Sequence, residues 1–290
     1  MVALKQRLHL IGAGRAGKLL GRMWCQTGQY CIDRVVTRSQ ATAKEACHFV
    51  GQGRPGAIDA LPPADIIVVA VSDQALASVA QQLAELGPVN QQIIVHLSGA
   101  TPVAVFQPLK ALGYSIAAAH PARSFANETM TAQDFAGTWV AYEGDHAAHA
   151  PVSKLFTSIG AQLFDLTTEN RPLYHAGTVF ASNFLPLIMQ SAIRCLQSAG
   201  IDDSKAAQIL TPLVQGTIEN IARIGPANAM TGPITRGDVE VIVKQMETLP
   251  SDDIRSLYKT LSLAALELAI TGGLEDDQAD AVRKALMKSI

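Results

Sequence analysis

"LHLIGAGRAGKLLGRMW", residues 8–24, sets Gly12-x-Gly14-x-x-Gly17 directly behind an apolar run and directly ahead of a stretch with helical spacing. Each glycine answers a different demand of a strand-to-helix turn. Gly12 permits the tight turn, Gly14 lets a pyrophosphate come up to the backbone, and Gly17 lets the helix lie close on its sheet. The N–H groups that open the helix, at Arg15 and Ala16, then hold phosphate oxygens. The spacing alone also fits a glycine-rich turn without a ligand. Its place at the first strand-helix junction of an alternating chain points to dinucleotide binding.

Outward from this turn, up to about residue 168, short apolar runs alternate with helical stretches: "RLHLIG", "CIDRVVTR", "DIIVVAV", "QIIVHLSG", "SIAAAH", "TWVAYEG" and "AQLFDLT". Most are continuous in Val, Ile, Leu and Ala rather than alternating, as strands covered by helices on both faces are. This predicts a doubly wound α/β domain. Beyond Pro172 the strand signal stops. "PLYHAGTVFASNFLPLIMQSAIRCLQSAG", "SKAAQILTPLVQGTIENIARIG" and "SDDIRSLYKTLSLAALELAITGG" carry apolar residues at helical spacing, and each closes on glycine. The expected organisation is an α/β domain over residues 1–168 and an all-helical domain over 169–290.

The end of the second strand bears on the cofactor. Asp33 stands about 20 residues past the first glycine, where an NAD-type ribose acid is expected. It precedes "RVV", however, and so lies too early in its strand to reach the adenosine pocket. The strand ends at Thr37-Arg38-Ser39, a guanidinium flanked by two hydroxyls, which suits a 2′-phosphate. The expectation is NADP(H) rather than NAD, unless Arg38 is only a solvated loop charge. The fourth strand runs out through Val71, Ser72 and Asp73. Val71 and Ser72 are expected beside the nicotinamide half, whereas Asp73 suits a helix N-cap equally well.

The fifth and sixth strands end at "HLSG" and "AAAHPARSF", which brings Ser98 and His120 to one edge of the sheet. Reduction of a carbonyl or imine needs a proton as well as a hydride, and an imidazole titrating near neutrality suits the proton. His120 is either that donor or a packed turn residue, and Arg123 is a candidate grip for a substrate carboxylate. In "YHAGTVFASN", His175 and Ser182 are seven residues apart and share a helical face, with Asn183 on the next stripe. His175 is therefore a second candidate donor, and Asn183 a candidate for orienting the substrate. In "MTGPITRGDVEVI", Asp238 reads as an N-cap and Arg236 as a weaker anion contact.

Composition removes other classes. With 290 residues, 48% of them hydrophobic, there is material for two cores. A net charge of −2 and the lack of a Lys/Arg run leave no footprint for nucleic acid. Cys25, Cys31, Cys47 and Cys195 have no metal-site spacing and suit a reducing compartment. No run of about 18 uninterrupted apolar residues suggests a membrane span, so a cytoplasmic protein is expected.

Taken together, "IGAGRAG", "VVTRS", "HLSGA", "AHPARSFA", "YHAGTVFASNFL" and "TGPITRGD" resemble the Rossmann-like/DUF2520 proteins over essentially the whole chain. The organisation is similar to that of the 6-phosphogluconate dehydrogenase-like superfamily. The resemblance implies an NADP-binding domain followed by a helical domain that dimerises, and an oxidoreductase activity. Prephenate dehydrogenases of that superfamily have a similar His-Pro at a strand end and a serine at the end of the preceding strand. Those two carry over onto His120 and Ser98. The lysine-x-x-x-asparagine helix of the hydroxy acid enzymes does not, because no lysine lies between His175 and Asn183. The expected function is an NADP-dependent reductase or dehydrogenase of a small carboxylated carbonyl, such as the keto acid ketopantoate, or of an imine. A catalytically silent NADP sensor or scaffold is the rival, and a deazaflavin reductant is a third reading. The long apolar helices suggest a homodimer, although burial within one chain would leave the same pattern.

Overall fold

The computed structural model describes residues 5–288. The chain runs β1 (Gln6–Ile11), α1 (Arg15–Gln26), β2 (Tyr30–Val36), α2 (Gln40–Val50), β3 (Arg54–Gly56), β4 (Ile66–Val69), α3 (Asp73–Ala84) and β5 (Gln92–His96). A 3₁₀ helix, Val103–Leu112, then leads to β6 (Tyr114–Pro121), α4 (Ala132–Phe135), β7 (Trp139–Gly144), α5 (His146–Thr157), β8 (Gln162–Asp165) and α6 (Arg171–Thr178). The strands form one sheet in the order β3-β2-β1-β4-β5-β6-β7-β8. All neighbours are parallel except β6 and β7. The reversal of strand order falls between β1 and β4, where a doubly wound sheet opens a crevice beyond its carboxyl ends.

The unbroken apolar runs are explained by the two cores. Leu8, Leu10, Ile66, Val68, Ala117 and Ala119 pack with Leu20, Trp24 and Phe156 on one side of the sheet. Ile11, Ile67, Val69, Ile94 and Ile116 pack with Leu76, Leu83 and Phe106 on the other. Successive strand residues point to opposite faces, so both phases of the pattern must be apolar when both faces are covered. Burying each such Leu, Ile or Val contributes about 1.5–3 kcal/mol. The strand expected at residues 31–38 ends at Val36, which leaves Thr37, Arg38 and Ser39 in the turn beyond it.

The chain divides into two compact units, Met1–Ser182 and Asn183–Ile290. The second unit is entirely helical over its described residues: α7 (Leu185–Ser198), α8 (Asp203–Ile224), α9 (Pro226–Ala229), α10 (Val239–Thr248), α11 (Asp252–Thr271) and α12 (Asp276–Lys288). Its core gathers Ile242, Met246, Leu266, Val282 and Leu286 from α10, α11 and α12. Asp202 caps α8 by accepting the Lys205 N–H, and Asp238 caps α10 by accepting the Val241 N–H. On α7 and α8, Leu187, Ile188, Leu213 and Ile218 are exposed.

Between α6 and α7, Val179–Asn183 is a π-helical turn. The seven-residue relation expected from His175 to Ser182 assumes an unbroken α-helix. The wider i→i+5 turn interrupts that phase, so the spacing does not place the two on one stripe. Among the described residues, Arg171–Ser198 is also the one helical stretch long enough to span a membrane that contains an 18-residue window apolar enough to do so, with a mean hydropathy of 1.3. Its first residue is nevertheless buried in a charge pair within the first unit, and Arg194 interrupts it further on.

Candidate active site

The glycine turn has the conformation its sequence implies. Gly12 stands at φ 87°, in the left-handed region, and a Cβ there would overlap the Ala70 carbonyl. A Cβ on Gly17 would lie 2.6 Å from the Gly12 carbonyl oxygen, which is the close helix-to-strand contact. At Gly14, by contrast, nothing lies within 4 Å of where a Cβ would stand. Two glycines are thus required by the protein's own packing, while the third keeps open space in front of the helix. Gly14 is the N-cap of α1, no side chain caps that end, and no acidic residue occupies the first turn. The amides at Arg15 and Ala16 are therefore left for an anion.

Beyond β2, Ser39 caps α2 by accepting the Thr42 N–H at 3.2 Å. Thr37 Oγ1 donates to the Ser39 carbonyl at 2.8 Å and lies 2.6 Å from Thr42 Oγ1. These hydroxyls are largely occupied with one another, a role for Thr42 that the motif did not suggest. Arg38 is exposed and makes no ion pair among the described residues, so its guanidinium is the group available to a phosphate. Asp33, within β2, instead pairs with Arg34 at 2.5 Å. Val71 and the exposed Ser72 follow β4. Ser72 is the N-cap of α3, which makes Asp73 the first helical residue rather than the cap.

The carboxyl ends of β5 and β6 carry the second cluster. His120, the next-to-last residue of β6, is half-buried, and its Nδ1 lies 3.0 Å from the Tyr174 hydroxyl on α6. The His175 ring stands edge-on to it, with centroids 5.7 Å apart. Both imidazoles press on Gly99: a Cβ there would lie 2.5 Å from His175 Nδ1 and 2.9 Å from His120 Nε2. Only a residue without a side chain lets two imidazole nitrogens converge on this part of the backbone. Burial, then the neighbouring His175 and the Arg171 charge, push His120 down to about 4, while Asp73 opposes them weakly. At neutral pH His120 is therefore uncharged. This direction runs against an imidazole titrating near neutrality, because burial and the Arg171 guanidinium both disfavour the imidazolium.

Beneath the histidines lies a charge pair with no sequence signature. Arg171 is fully buried, and its Nε donates to Glu143 Oε2 on β7 at 2.5 Å. Its Nη1 donates to the Ser98 carbonyl at 3.0 Å. Glu143 Oε1 accepts from the Thr168 hydroxyl at 2.5 Å and from the Val103 N–H at 3.2 Å. One arginine thus ties the start of α6 to β7 and to the turn after β5. Ser98 is buried in that turn, and its Oγ accepts the N–H groups of Thr101 at 2.9 Å and Ala100 at 3.2 Å. Its hydroxyl proton is the only function it has left. His96, fully buried at the end of β5, is pushed down to about 3 by desolvation and by Arg171.

The remaining candidates stand apart from this cluster or in the other unit. Arg123 is exposed in the segment after β6, and its charge acts on Asp134. Asn183 ends the π turn and is exposed, and Arg236 is exposed in the segment before α10. The structure thus brings together His120, His175 and the backbone of Ser98 and Gly99. It adds Tyr174, Arg171 and Glu143, which the sequence reading did not single out. Among the described residues no group of three or more His, Cys, Asp or Glu side chains is placed to hold a metal ion.

Comparison with known proteins gives the following similarities. Residues 3–121 match the Rossmann-like domain, and residues 138–265 match DUF2520, a domain of unknown function. A candidate NADP oxidoreductase from Bacteroides fragilis superposes with a TM-score of 0.76 at 23% identity, over 91% of this chain and 98% of the other. A Thermotoga maritima protein follows at 0.69 and 24%, with the same coverage. An imine reductase from Myxococcus stipitatus, in complex with NADP+, reaches 0.63 at 14%, over 97% and 99% of the two chains. No curated protein matches the sequence. The chain thus carries a Rossmann-like domain over residues 3–121, with the glycine turn in it, followed by a DUF2520 domain over residues 138–265.

Proposed function

We propose that this protein is an NADP(H)-dependent reductase of a small carbonyl or imine compound, a keto acid such as ketopantoate being the first substrate to test. The observation that carries this reading is the convergence of His120 Nε2 and His175 Nδ1 at Gly99, at the same carboxyl edge of the sheet as the open glycine turn. The site's fit to a dinucleotide rests on Gly14, which faces open space, and on an α1 N-terminus free of acids and side-chain caps. Gly12, Gly14 and Gly17 with the amides of Arg15 and Ala16 would hold the pyrophosphate. Arg38 and the α2 N-terminus would take a 2′-phosphate, and Val71 and Ser72 would run beside the nicotinamide. The cofactor's contribution when bound is a hydride.

The chain's own residues supply the other half of the reaction. His120, neutral at pH 7, presents Nε2 toward the space beside Gly99 and acts there as a hydrogen-bond and proton donor to the substrate heteroatom. His175 offers a second polar contact, and Ser98 shapes the turn that sets the spacing. Four free cysteines suit a reducing, cytoplasmic setting. A second copy is the partner we assign to the exposed apolar residues of α7 and α8, with sedimentation as the check.

The test is NADPH oxidation by the purified protein against 2-oxo, 3-oxo and imino acids. Turnover on one class is expected, and His120→Ala should lower kcat by about 100-fold or more with NADPH affinity kept. Arg38→Ala should weaken NADPH binding and leave NADH binding unchanged. Tight NADPH binding with no turnover on any class would instead favour a sensor of the cofactor.

A further inference from the structure

We propose that the Tyr174 hydroxyl is the proton source behind His120, so that the two form a relay rather than His120 acting as an independent acid. This rests on the reductase reading for its substrate but on the free protein's geometry for its parts. The Oη···Nδ1 separation is 3.0 Å, within hydrogen-bond range, and each of the two groups can either give or take the proton.

Chemistry decides the direction. A phenol is a stronger hydrogen-bond donor than a neutral imidazole N–H, and an imidazole nitrogen is a far better acceptor than a phenol oxygen. Tyr174 has a single hydroxyl proton, and among the described residues its oxygen lies against His120 Nδ1. Were Nδ1 to donate instead, the weaker donor would face the poorer acceptor, and the better-matched pair would go unused. The phenol therefore donates to Nδ1. The imidazole proton is left on Nε2, the nitrogen nearer Gly99.

The surrounding charge favours the same route. Arg171 lies one helical turn before Tyr174 on α6, and its cation is fully buried. Burial is the larger effect on both groups, disfavouring an imidazolium at His120 and a phenolate at Tyr174; the Arg171 charge adds to it at His120 and opposes it at Tyr174. A sequence in which His120 first becomes charged works against that field. A sequence in which charge appears on the tyrosine oxygen works with it. With a reduced nicotinamide dinucleotide bound to supply the hydride to the substrate C=X carbon, X would take its proton from Nε2. As that N–H bond breaks, Nδ1 takes the phenol proton, so His120 stays neutral and exchanges one tautomer for the other. Solvent then returns a proton to the phenolate.

The first experiment needs neither substrate nor cofactor. Long-range ¹H–¹⁵N correlation spectra of the free protein, with His120 assigned by the His120→Gln variant, report which ring nitrogen bears hydrogen. Protonated Nε2 and bare Nδ1 are expected at pH 7, with that preference lost in Tyr174→Phe. Hydrogen on Nδ1 in the wild type would overturn the relay while leaving the reductase reading intact. With the substrate found by the NADPH assay, Tyr174→Phe should lower kcat by about 100-fold with KM changed less than about threefold. Rate against D2O fraction should curve in the wild type and become linear in the variant. Full kcat in a Tyr174→Phe protein that melts like the wild type would also refute the relay. If no substrate is found, the spectra still decide the tautomer, so the two readings fail separately.

Discussion

At Gly99 a missing side chain does the work usually credited to present ones. An alanine Cβ there would lie 2.5 Å from His175 Nδ1 and 2.9 Å from His120 Nε2, so both rings would have to withdraw. Gly99→Ala is expected to cost about 1–3 kcal/mol of stability, the range for overpacking. It should abolish most turnover while leaving NADPH affinity within about threefold, as read by cofactor fluorescence. Loss of cofactor binding in proportion to turnover would show instead that the substitution had disturbed the glycine turn. The motif "HLSG" raised Ser98 as the residue of interest, whereas the glycine beside it sets the spacing. Gly12, Gly14 and Gly17 were legible because their demands are local, set by a strand, a turn and a helix in sequence. Tyr174 was not, because nothing near it in the chain indicates that its hydroxyl meets a histidine 54 residues away.

Among the elements, α6 depends most on one contact. Arg171 joins it to Glu143 of β7 and to the Ser98 carbonyl, with Thr168 and Val103 completing the carboxylate. Removing one partner of a buried, hydrogen-bonded pair typically costs about 3–5 kcal/mol. Arg171→Met is expected to lose stability in that range by urea denaturation, and Glu143→Gln somewhat less, since the amide retains an acceptor for Arg171. The double change should cost less than the two single losses added together; simple additivity would mean that the groups are not coupled. In sequence, Arg171 only precedes a proline at the start of a helix, and nothing beside it points to a partner. Its partner is 28 residues away on a strand, and no periodicity marks such a pair. The π turn at Val179–Asn183 was equally hidden, because a wider turn has no residue signature of its own. The strands and the change to helices were visible because burial on two sheet faces, and on one helix stripe, imposes different repeats.

For the molecule as a whole, buried neutral histidines set the response to acid. His96 is held at about 3 and His120 at about 4, and His9 is lowered as well, in each case chiefly by desolvation. An unfolded histidine titrates near 6.5. Above that value both states are neutral and the full stability is present. Below it the unfolded chain takes up protons that the folded chain refuses, until the folded values are reached. Each such group removes about 1.4 kcal/mol per pH unit in that window. Urea unfolding followed by Trp24 and Trp139, both in the first unit, should therefore shift to markedly lower midpoints between pH 7 and pH 5. A midpoint that stays constant over that range would contradict neutral burial.

The two outer strands of the sheet have their own consequence. β3 is three residues long, reads Arg-Pro-Gly, and ends one side; β8 is four residues long, begins with Gln162 and finishes with Asp165, and ends the other. A proline has no N–H to offer an incoming strand, and short edges bearing charge make poor templates for further pairing. Both borders of the sheet are thus poor seeds for fibril-like growth, while the apolar strands between them lie buried.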